Sequence, residues 1–167
     1  MILRINTIKN NSTEIEAALL DAVGKVIVKK IIKARYQQAE KLLPLIDSVL
    51  NSYKRKITEI AKKKKNYELR IKNYGFITMI EVVNRGGTFT SLRIGVATAN
   101  ALGYALNVPV VGISEDGMIN VLTGSKNSKF PHFAKAPRGK QILNSKFDFD
   151  IVAPEYDKEP NITIRNT

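Results

Sequence analysis

The feature that constrains this fold most is a strand–turn–helix–strand run near the middle of the chain. Gly75 to Val83 is apolar and rich in β-branched residues, which is typical of a buried strand. Asn84 to Thr88 has the composition of a turn, and it precedes a predicted helix from Ser91 to Leu106. Val108 to Ile113 is a second short apolar strand. This order predicts a crossover unit whose two strands are parallel.

The residues before this run predict an antiparallel meander. Met1 to Asn6 alternates apolar and polar residues, and Thr13 to Leu20 and Lys25 to Ile32 are two further strand candidates. A polar turn is expected at Thr7 to Asn11. Asp21 to Gly24 carries hairpin-turn residues between the second and third strands. Three strands joined by tight turns therefore open the chain.

The pattern then changes to helical spacing from Tyr36 to about Lys64. Pro44 lies inside this pattern, so it must either open the first turn of the helix or kink it. The first 114 residues therefore predict an α/β fold with the order β-β-β-α-β-α-β. Residues 115–167 give weaker signals, with strand candidates at Met118 to Leu122 and Phe147 to Val152.

Cysteine is absent from the chain, which excludes a disulfide framework, a thiolate metal site and a cysteine nucleophile. This suits a reducing cytoplasm, where we expect the protein to be located. Met1 to Asn6 is too short for a signal peptide, and no stretch has the apolar length of a membrane-spanning helix. We therefore expect no contact with a membrane.

The formal net charge is +12, a balance that favours contact with polyanions. Between Tyr53 and Lys72 there are nine basic residues and only two acidic ones. Two interpretations stay open, a solvated helix end and a surface that contacts the phosphates of a nucleic acid. The residues assigned to the second interpretation are Lys54, Arg55, Lys62, Lys63, Lys64 and Lys65.

Candidate catalytic chemistry is sparse. The paired glycines Gly86 and Gly87 can serve a strand-to-helix turn or let the backbone approach a phosphate, but no P-loop or G-x-G-x-x-G pattern accompanies them. His132 is the only histidine, which argues against a zinc site. The acidic residues near the carboxyl end lack the spacing of a calcium loop. We predict no catalytic, cofactor-binding or metal-binding residue.

The second helix is rich in small residues, which let another helix come close. Two arrangements stay open: the two helices form half of a four-helix bundle, or both pack against their own sheet. Arg93 lies among apolar neighbours, and it could pair with a carboxylate at an interface or snorkel to the surface.

One segment carries a resemblance to a known family. Residues 87–114 read GTFTSLRIGVATANALGYALNVPVVGIS, which closely resembles the hallmark of the TsaB (YeaZ) family. Met1 to Thr7 is similar to the opening strand of that family, and Glu40 to Ser48 is similar to its first helix, including Pro44. The resemblance covers about the first two thirds of the chain.

The resemblance implies the actin/Hsp70-like (RNase H-like) fold and a subunit that is not itself an enzyme. Family members bind the paralogue TsaD, the transferase that adds threonylcarbamoyl to the transfer-RNA adenosine beside the anticodon, and the ATPase TsaE joins them. Alone they form homodimers. Binding uses the two helices, so the resemblance implies a partner interface at Leu42, Leu45, Ile46, Val49, Arg93, Ala97, Asn100 and Ala101.

The chain also departs from the family pattern. Asn6 stands where the opening strand commonly ends in Asp, and a neutral amide cannot supply the charge that holds a metal–nucleotide. Arg85-Gly86-Gly87-Thr88 stands where the hallmark usually begins Gly-Pro-Gly-Ser, and Arg85 adds a positive charge there. We expect two domains, residues 1–114 as the amino-terminal lobe and residues 115–167 as a reduced second lobe. The alternative function is a basic module that binds transfer RNA through Lys54 to Lys72.

Overall fold

The computed structural model describes residues 1–63, 74–115 and 151–156, with side chains described up to residue 60 in the first range. Within these ranges it contains one sheet and three helical segments. In chain order the elements are β1 (Ile2–Asn6), α1 (Lys9–Ser12), β2 (Glu14–Leu20), β3 (Val26–Lys33), α2 (Gln38–Lys63), β4 (Met79–Val83), α3 (Phe89–Leu106) and β5 (Val110–Ile113).

The sheet has five strands in the order β3-β2-β1-β4-β5. The pairs β1–β2 and β2–β3 are antiparallel, whereas β1–β4 and β4–β5 are parallel. The predicted meander and the predicted parallel crossover unit are both confirmed. The chain has the α/β fold that the element order predicts, and this agrees with the actin/Hsp70-like (RNase H-like) fold that the resemblance implies.

The β2–β3 hairpin closes through the residues predicted for its turn. The Asp21 carboxylate accepts hydrogen bonds from the backbone N–H groups of Val23 and Lys25, each at 2.9 Å. Gly24 has a φ of +87°, a conformation that a residue with a Cβ rarely adopts. Local turn chemistry therefore sets the register of β3, which carries a bulge opposite Leu19 and Leu20.

Helix α2 lies against β2 and β3, and α3 lies against β1, β4 and β5. Pro44 lies within α2 beyond its first turn, on the exposed side. The carbonyl of Glu40 consequently has no helical donor, but this residue is exposed and water can serve it. The core between the sheet and the helices includes Leu3, Ile5, Ile15, Leu19, Leu42, Val49, Ile80, Val82, Val96 and Ala99.

Helix α3 approaches the end of β1 unusually closely. A Cβ at Gly95 would lie 2.4 Å from Thr7 Oγ1, which no real contact tolerates. The buried Thr7 hydroxyl donates a hydrogen bond of 2.7 Å to the carbonyl of Ser91. The helix can lie this low on the sheet because Gly95 has no side chain there.

Residues 151–156 return to the amino-terminal lobe and pack beside α3. The Asn100 amide donates to the Val152 carbonyl at 2.9 Å and accepts from the Val152 N–H at 3.2 Å. The Asn84 amide donates to the Ala153 carbonyl at 3.1 Å. Val152 joins the core, with 7% of its surface exposed. This segment therefore completes the lobe, although it lies beyond the boundary predicted at residue 114.

Replacement of Gly95 by alanine is expected to lower the free energy of unfolding by roughly 2 kcal/mol, because overpacking against Thr7 outweighs the gain in helix propensity. Denaturant unfolding followed by circular dichroism measures this change. The matched control is Gly75→Ala, where an added Cβ meets no atom within 4 Å. Equal stability of the two variants would contradict the close approach.

Replacement of Asn100 by alanine removes both hydrogen bonds to the Val152 main chain. We expect a loss of roughly 2 kcal/mol, since each bond contributes about 1 kcal/mol, and faster hydrogen exchange at the Val152 amide. Asn51→Ala is the matched control, because its amide bonds the Asp47 carboxylate on the exposed side of α2. Unchanged exchange at Val152 in the Asn100 variant would refute the docking of residues 151–156.

Candidate functional site

The first candidate region lies at the carboxyl end of β1, where α/β sheets commonly bind their ligands. Asn6 is buried there, with 5% of its surface exposed. Its side-chain oxygen accepts a hydrogen bond of 2.9 Å from the backbone N–H of Ile8. The amide that replaces the expected carboxylate therefore has a structural role in turning the chain after β1.

The turn that follows, α1, has a left-handed backbone. Asn10, Asn11 and Ser12 have φ angles of 50°, 54° and 63°, a region that asparagine tolerates better than most residues. Ser12 is buried, and its hydroxyl accepts from the backbone N–H of Thr88 at 3.0 Å. Its carbonyl accepts from the Gln38 side chain at 2.7 Å. The polar turn predicted at Thr7 to Asn11 thus lies directly against the start of α3.

The glycine turn before α3 packs against this left-handed turn. Gly86 and Gly87 have φ angles of +87° and +69°. A Cβ at Gly87 would lie 2.5 Å from the Cβ of Ile8. Thr88 caps α3, since its hydroxyl accepts from the Ser91 N–H at 3.4 Å and donates to the Ser91 hydroxyl at 2.8 Å. The positive φ angle at Gly86, and the positive φ angle together with close packing at Gly87, account for the two glycines, in agreement with a strand-to-helix turn.

The second candidate region is the outer surface of the two long helices. The α2 residues assigned to a partner, Leu42, Leu45, Ile46 and Val49, are all buried, with at most 3% of their surface exposed. They belong to the core under the sheet. This placement corrects the face of α2 that can meet a partner: contact must use its outer side, where Leu43 is 55% exposed. That α2 meets a partner remains a prediction.

The outer side of α3 carries three of the predicted interface residues. Arg93, Ala97 and Ala101 are exposed and follow one another at helical spacing, and Tyr104 is 73% exposed beside them. Asn100, also assigned to the partner, instead holds the main chain of Val152. The sequence pattern missed Leu43 and Tyr104, although a large apolar side chain opposite the core-facing stripe could have indicated them.

Aromatic side chains border this α3 surface at the start of the helix. The rings of Phe89 and Tyr156 stack with their centroids 4.5 Å apart. The Arg93 guanidinium lies over the Phe89 ring, 5.1 Å from its centroid. Of the two alternatives for Arg93, the structure places its side chain at the surface against an aromatic ring. The Arg93 guanidinium, which is able to pair with a carboxylate, therefore lies beside the flat apolar surface of the stacked rings.

The third candidate region is the basic carboxyl half of α2. Lys54 Nζ lies 4.1 Å from the centroid of the Tyr74 ring, and Arg55 is exposed. Burial raises the pKa of the neighbouring Tyr53, whose ring contacts Phe76. Lys54 and Arg55 border an open depression of about 370 Å³ along the helix. The side chains of Lys62, Lys63, Lys64 and Lys65 lie outside the described residues.

Several other predicted features also lie outside the described residues, among them His132, the strand at Met118 to Leu122 and most of the strand at Phe147 to Val152. Ile151 and Val152, which are described, are not part of a strand. In the described ranges, no three histidine, cysteine, aspartate or glutamate residues are grouped to hold a metal ion. In those ranges, too, no helix has both the length and the apolar character needed to cross a membrane.

Two of the solved structures to which this chain is similar illustrate the comparison. One is YeaZ from Pseudomonas aeruginosa, with a TM-score of 0.48, 19% identity, 68% of this chain covered and 43% of that chain. The other is a protein with similarity to peptidase YeaZ from the same organism, with a TM-score of 0.46, 19% identity and coverage of 68% and 42%. This chain thus spans less than half the length of either. No curated protein matches it.

A family-level sequence match covers a larger part of the chain. The sequence model described as "TsaD: tRNA N6-adenosine threonylcarbamoyltransferase" matches residues 32–141, which is more than half of the 167 residues. The matched range contains both long helices and the hallmark segment. The predicted kinship is confirmed at this level, although the matching model is that of TsaD and not of TsaB (YeaZ), and this chain belongs to the family that the TsaD model describes.

Proposed function

We propose that this chain takes part in the threonylcarbamoyl modification of the transfer-RNA adenosine beside the anticodon. Its role is that of a non-catalytic subunit that binds a TsaD-type transferase, with a TsaE-like ATPase as a further member of the assembly. In the absence of the transferase, the same surface serves a homodimer. Membership in the family supports the reaction, and the geometry of α3 supports the role as a subunit.

The observation that carries this proposal is the outer surface of α3. Ala97 and Ala101 present methyl groups there, so a second helix can approach the backbone closely. Tyr104 extends from the same side and is largely exposed, which is typical of an interface anchor. Arg93 adds a cation at the rim. A helix surface with a flat centre and larger side chains at its border suits packing against another helix.

The strand ends support the non-catalytic part of the proposal. In the fold family, a carboxylate after β1 holds the metal of a bound nucleotide, whereas here Asn6 offers one amide oxygen, which already accepts from Ile8. The start of α3 is occupied from within the chain as well, because Ser12 accepts from the Thr88 N–H. These groups hold the two turns together, and catalysis is assigned to the partner.

The alternative, a nucleic-acid module that uses Lys54 to Lys72, draws support from the exposed guanidinium of Arg55. Lys54 contributes less to it, since its ammonium packs over Tyr74. This function is compatible with the first, because α3 and this part of α2 present separate surfaces.

A stable complex with the TsaD-type paralogue of the same organism is expected in size-exclusion chromatography with light scattering. Ala97→Glu should weaken it by at least a hundredfold, because a charged side chain would be buried without a partner in the helix contact. Ala22→Glu is the matched control, since Ala22 is exposed in the β2–β3 turn away from both helices. A complex that survives Ala97→Glu would exclude the α3 surface as the interface.

The purified chain alone is expected to show neither ATP hydrolysis nor transfer of threonylcarbamoyl to transfer RNA. Both reactions should appear in the mixture with the paralogue and the ATPase, and Ala97→Glu should reduce the transfer. The mixture is supplied with an activated threonylcarbamoyl donor prepared from radiolabelled threonine, and the label incorporated into transfer RNA provides the readout. Activity of the isolated chain above that of a mock purification would contradict the non-catalytic assignment.

A further inference from the structure

A second basic surface, separate from the lysine run after α2, lies at the edge of the sheet. Strand β3 is an edge strand, with β2 as its only sheet neighbour in the described part of the chain. From Lys25 to Arg35 the sequence contains five basic residues and no acidic one. Lys29 and Lys33 are both exposed. The strand therefore presents a row of ammonium groups to solvent.

Side chains alternate along β3, so Lys29 and Lys33 project from the face of the sheet opposite α2, whereas Lys30 and lysines of α2 border the same edge from the other face. Lys41 Nζ donates to the Lys33 carbonyl at 3.1 Å, and Lys56 Nζ donates to the Ile27 carbonyl at 3.3 Å. Between them, Lys30 Nζ donates to the carbonyl and hydroxyl of Ser48. We name Lys29, Lys30, Lys33, Lys41 and Lys56 the basic edge.

The acceptors of these ammonium groups are neutral carbonyl and hydroxyl oxygens, so the positive charge is not cancelled. The two ion pairs in the described residues, Arg4–Glu81 and Lys9–Glu16, use other side chains. The acidic residues near the basic edge are Glu14 and Glu16, which lie opposite Lys33 and Ile31 in the sheet, and Glu59, which is exposed on α2. Since Glu16 is already paired with Lys9, five cations face two carboxylates that are outside the described ion pairs.

The shape of the basic edge suits an extended anion. Lys41 and Lys56 are fifteen positions apart on one helix, which corresponds to about 22 Å at 1.5 Å per residue. β3 runs beside the helix over a similar distance, at about 3.3 Å per residue. A small phosphate ligand would use only a fraction of this row, whereas the backbone of a nucleic acid can contact all of it.

Lysines on an edge strand also prevent sheets from pairing edge to edge. That explanation covers Lys29 and Lys33, but it does not cover Lys41 and Lys56, which lie on the helix. It also makes a different prediction: loss of the lysines would cause the protein to associate, with no effect on a bound polyanion. The two explanations can therefore be separated by experiment.

We propose that the basic edge binds the phosphate backbone of RNA. The choice of transfer RNA as that RNA rests on the proposed function, since charge alone does not select it. The edge lies on the far side of α2 from the α3 surface assigned to the partner protein. A transfer RNA held at β3 and a transferase held at α3 would therefore not compete for the same residues.

The test uses the full chain and a fluorescently labelled, unmodified transfer-RNA transcript, with anisotropy measured at several salt concentrations. The double change Lys29→Gln and Lys33→Gln removes two exposed charges that make no hydrogen bond in the described structure. It should weaken binding about tenfold near 0.1 M salt and reduce the salt dependence by roughly one counterion for each lysine. Light scattering on the same samples reports association of the protein.

Single changes provide the matched control. Lys29→Gln and Arg85→Gln lower the net charge equally, but Arg85 is exposed in the turn between β4 and α3, and β4 is separated from β3 by two strands. Only Lys29→Gln should weaken binding, by about threefold. Equal effects of the two changes, or no binding of the transcript at low salt, would overturn the proposal. The proposal would also be overturned if the double variant self-associates but retains its affinity for RNA.

The same double variant separates this proposal from the proposed function. It should still form the complex with the TsaD-type paralogue, because α3 is unchanged. If the unmodified chain forms the complex with the paralogue but does not bind RNA, the basic edge is overturned and the subunit role is still supported. If the double variant no longer binds the transcript, and the unmodified chain forms no complex with the paralogue, the basic edge is supported and the subunit role is contradicted.

Discussion

The approach of α3 to β1 determines the rest of this structure. Gly95 lies where a side chain would collide with Thr7, and the Thr7 hydroxyl bonds the Ser91 carbonyl at the first turns of the helix. A helix held this low buries Val96 and Ala99 under the sheet. Because the helix is rigid, the opposite side, with Ala97 and Ala101, then faces outward. One missing Cβ thus decides both the core packing and the surface offered to a partner.

The turns at the carboxyl ends of β1 and β4 share a second property. Polar groups that other α/β proteins direct towards a ligand here bind one another. Asn6 accepts a hydrogen bond from the Ile8 N–H, and Thr88 accepts one from the Ser91 N–H. Ser12 accepts hydrogen bonds from the Thr88 N–H and from the Gln38 side chain. Each bond satisfies a buried or half-buried group that would otherwise lose its contact with water. The turns therefore stabilise the lobe at the carboxyl ends of strands, where α/β sheets commonly bind their ligands.

Sequence reasoning succeeded where the determinants are local. Strand alternation, the Asp21–Gly24 turn and the glycine pair before α3 act over a few residues, and each predicted the observed element. It was wrong about the α2 stripe, because periodicity shows that Leu42, Leu45, Ile46 and Val49 share a face but not whether that face meets a sheet or another protein. The bonds of Asn100 to Val152 were missed because the two residues are fifty-two positions apart. The basic edge was missed because its lysines are divided between β3 and α2, whereas composition draws attention to the continuous run after Tyr53.

The docking of residues 151–156 also bears on how the chain is made. Synthesis proceeds from the amino terminus, and domains fold largely as they emerge. All five strands and both long helices are complete once residue 113 has left the ribosome. At that moment the amide groups of Asn84 and Asn100 still lack the main chain of Ala153 and Val152, and the core still lacks the Val152 side chain. Closure of that flank of α3 therefore has to wait for residues 151–156, at a point when all the residues of the sheet are already available.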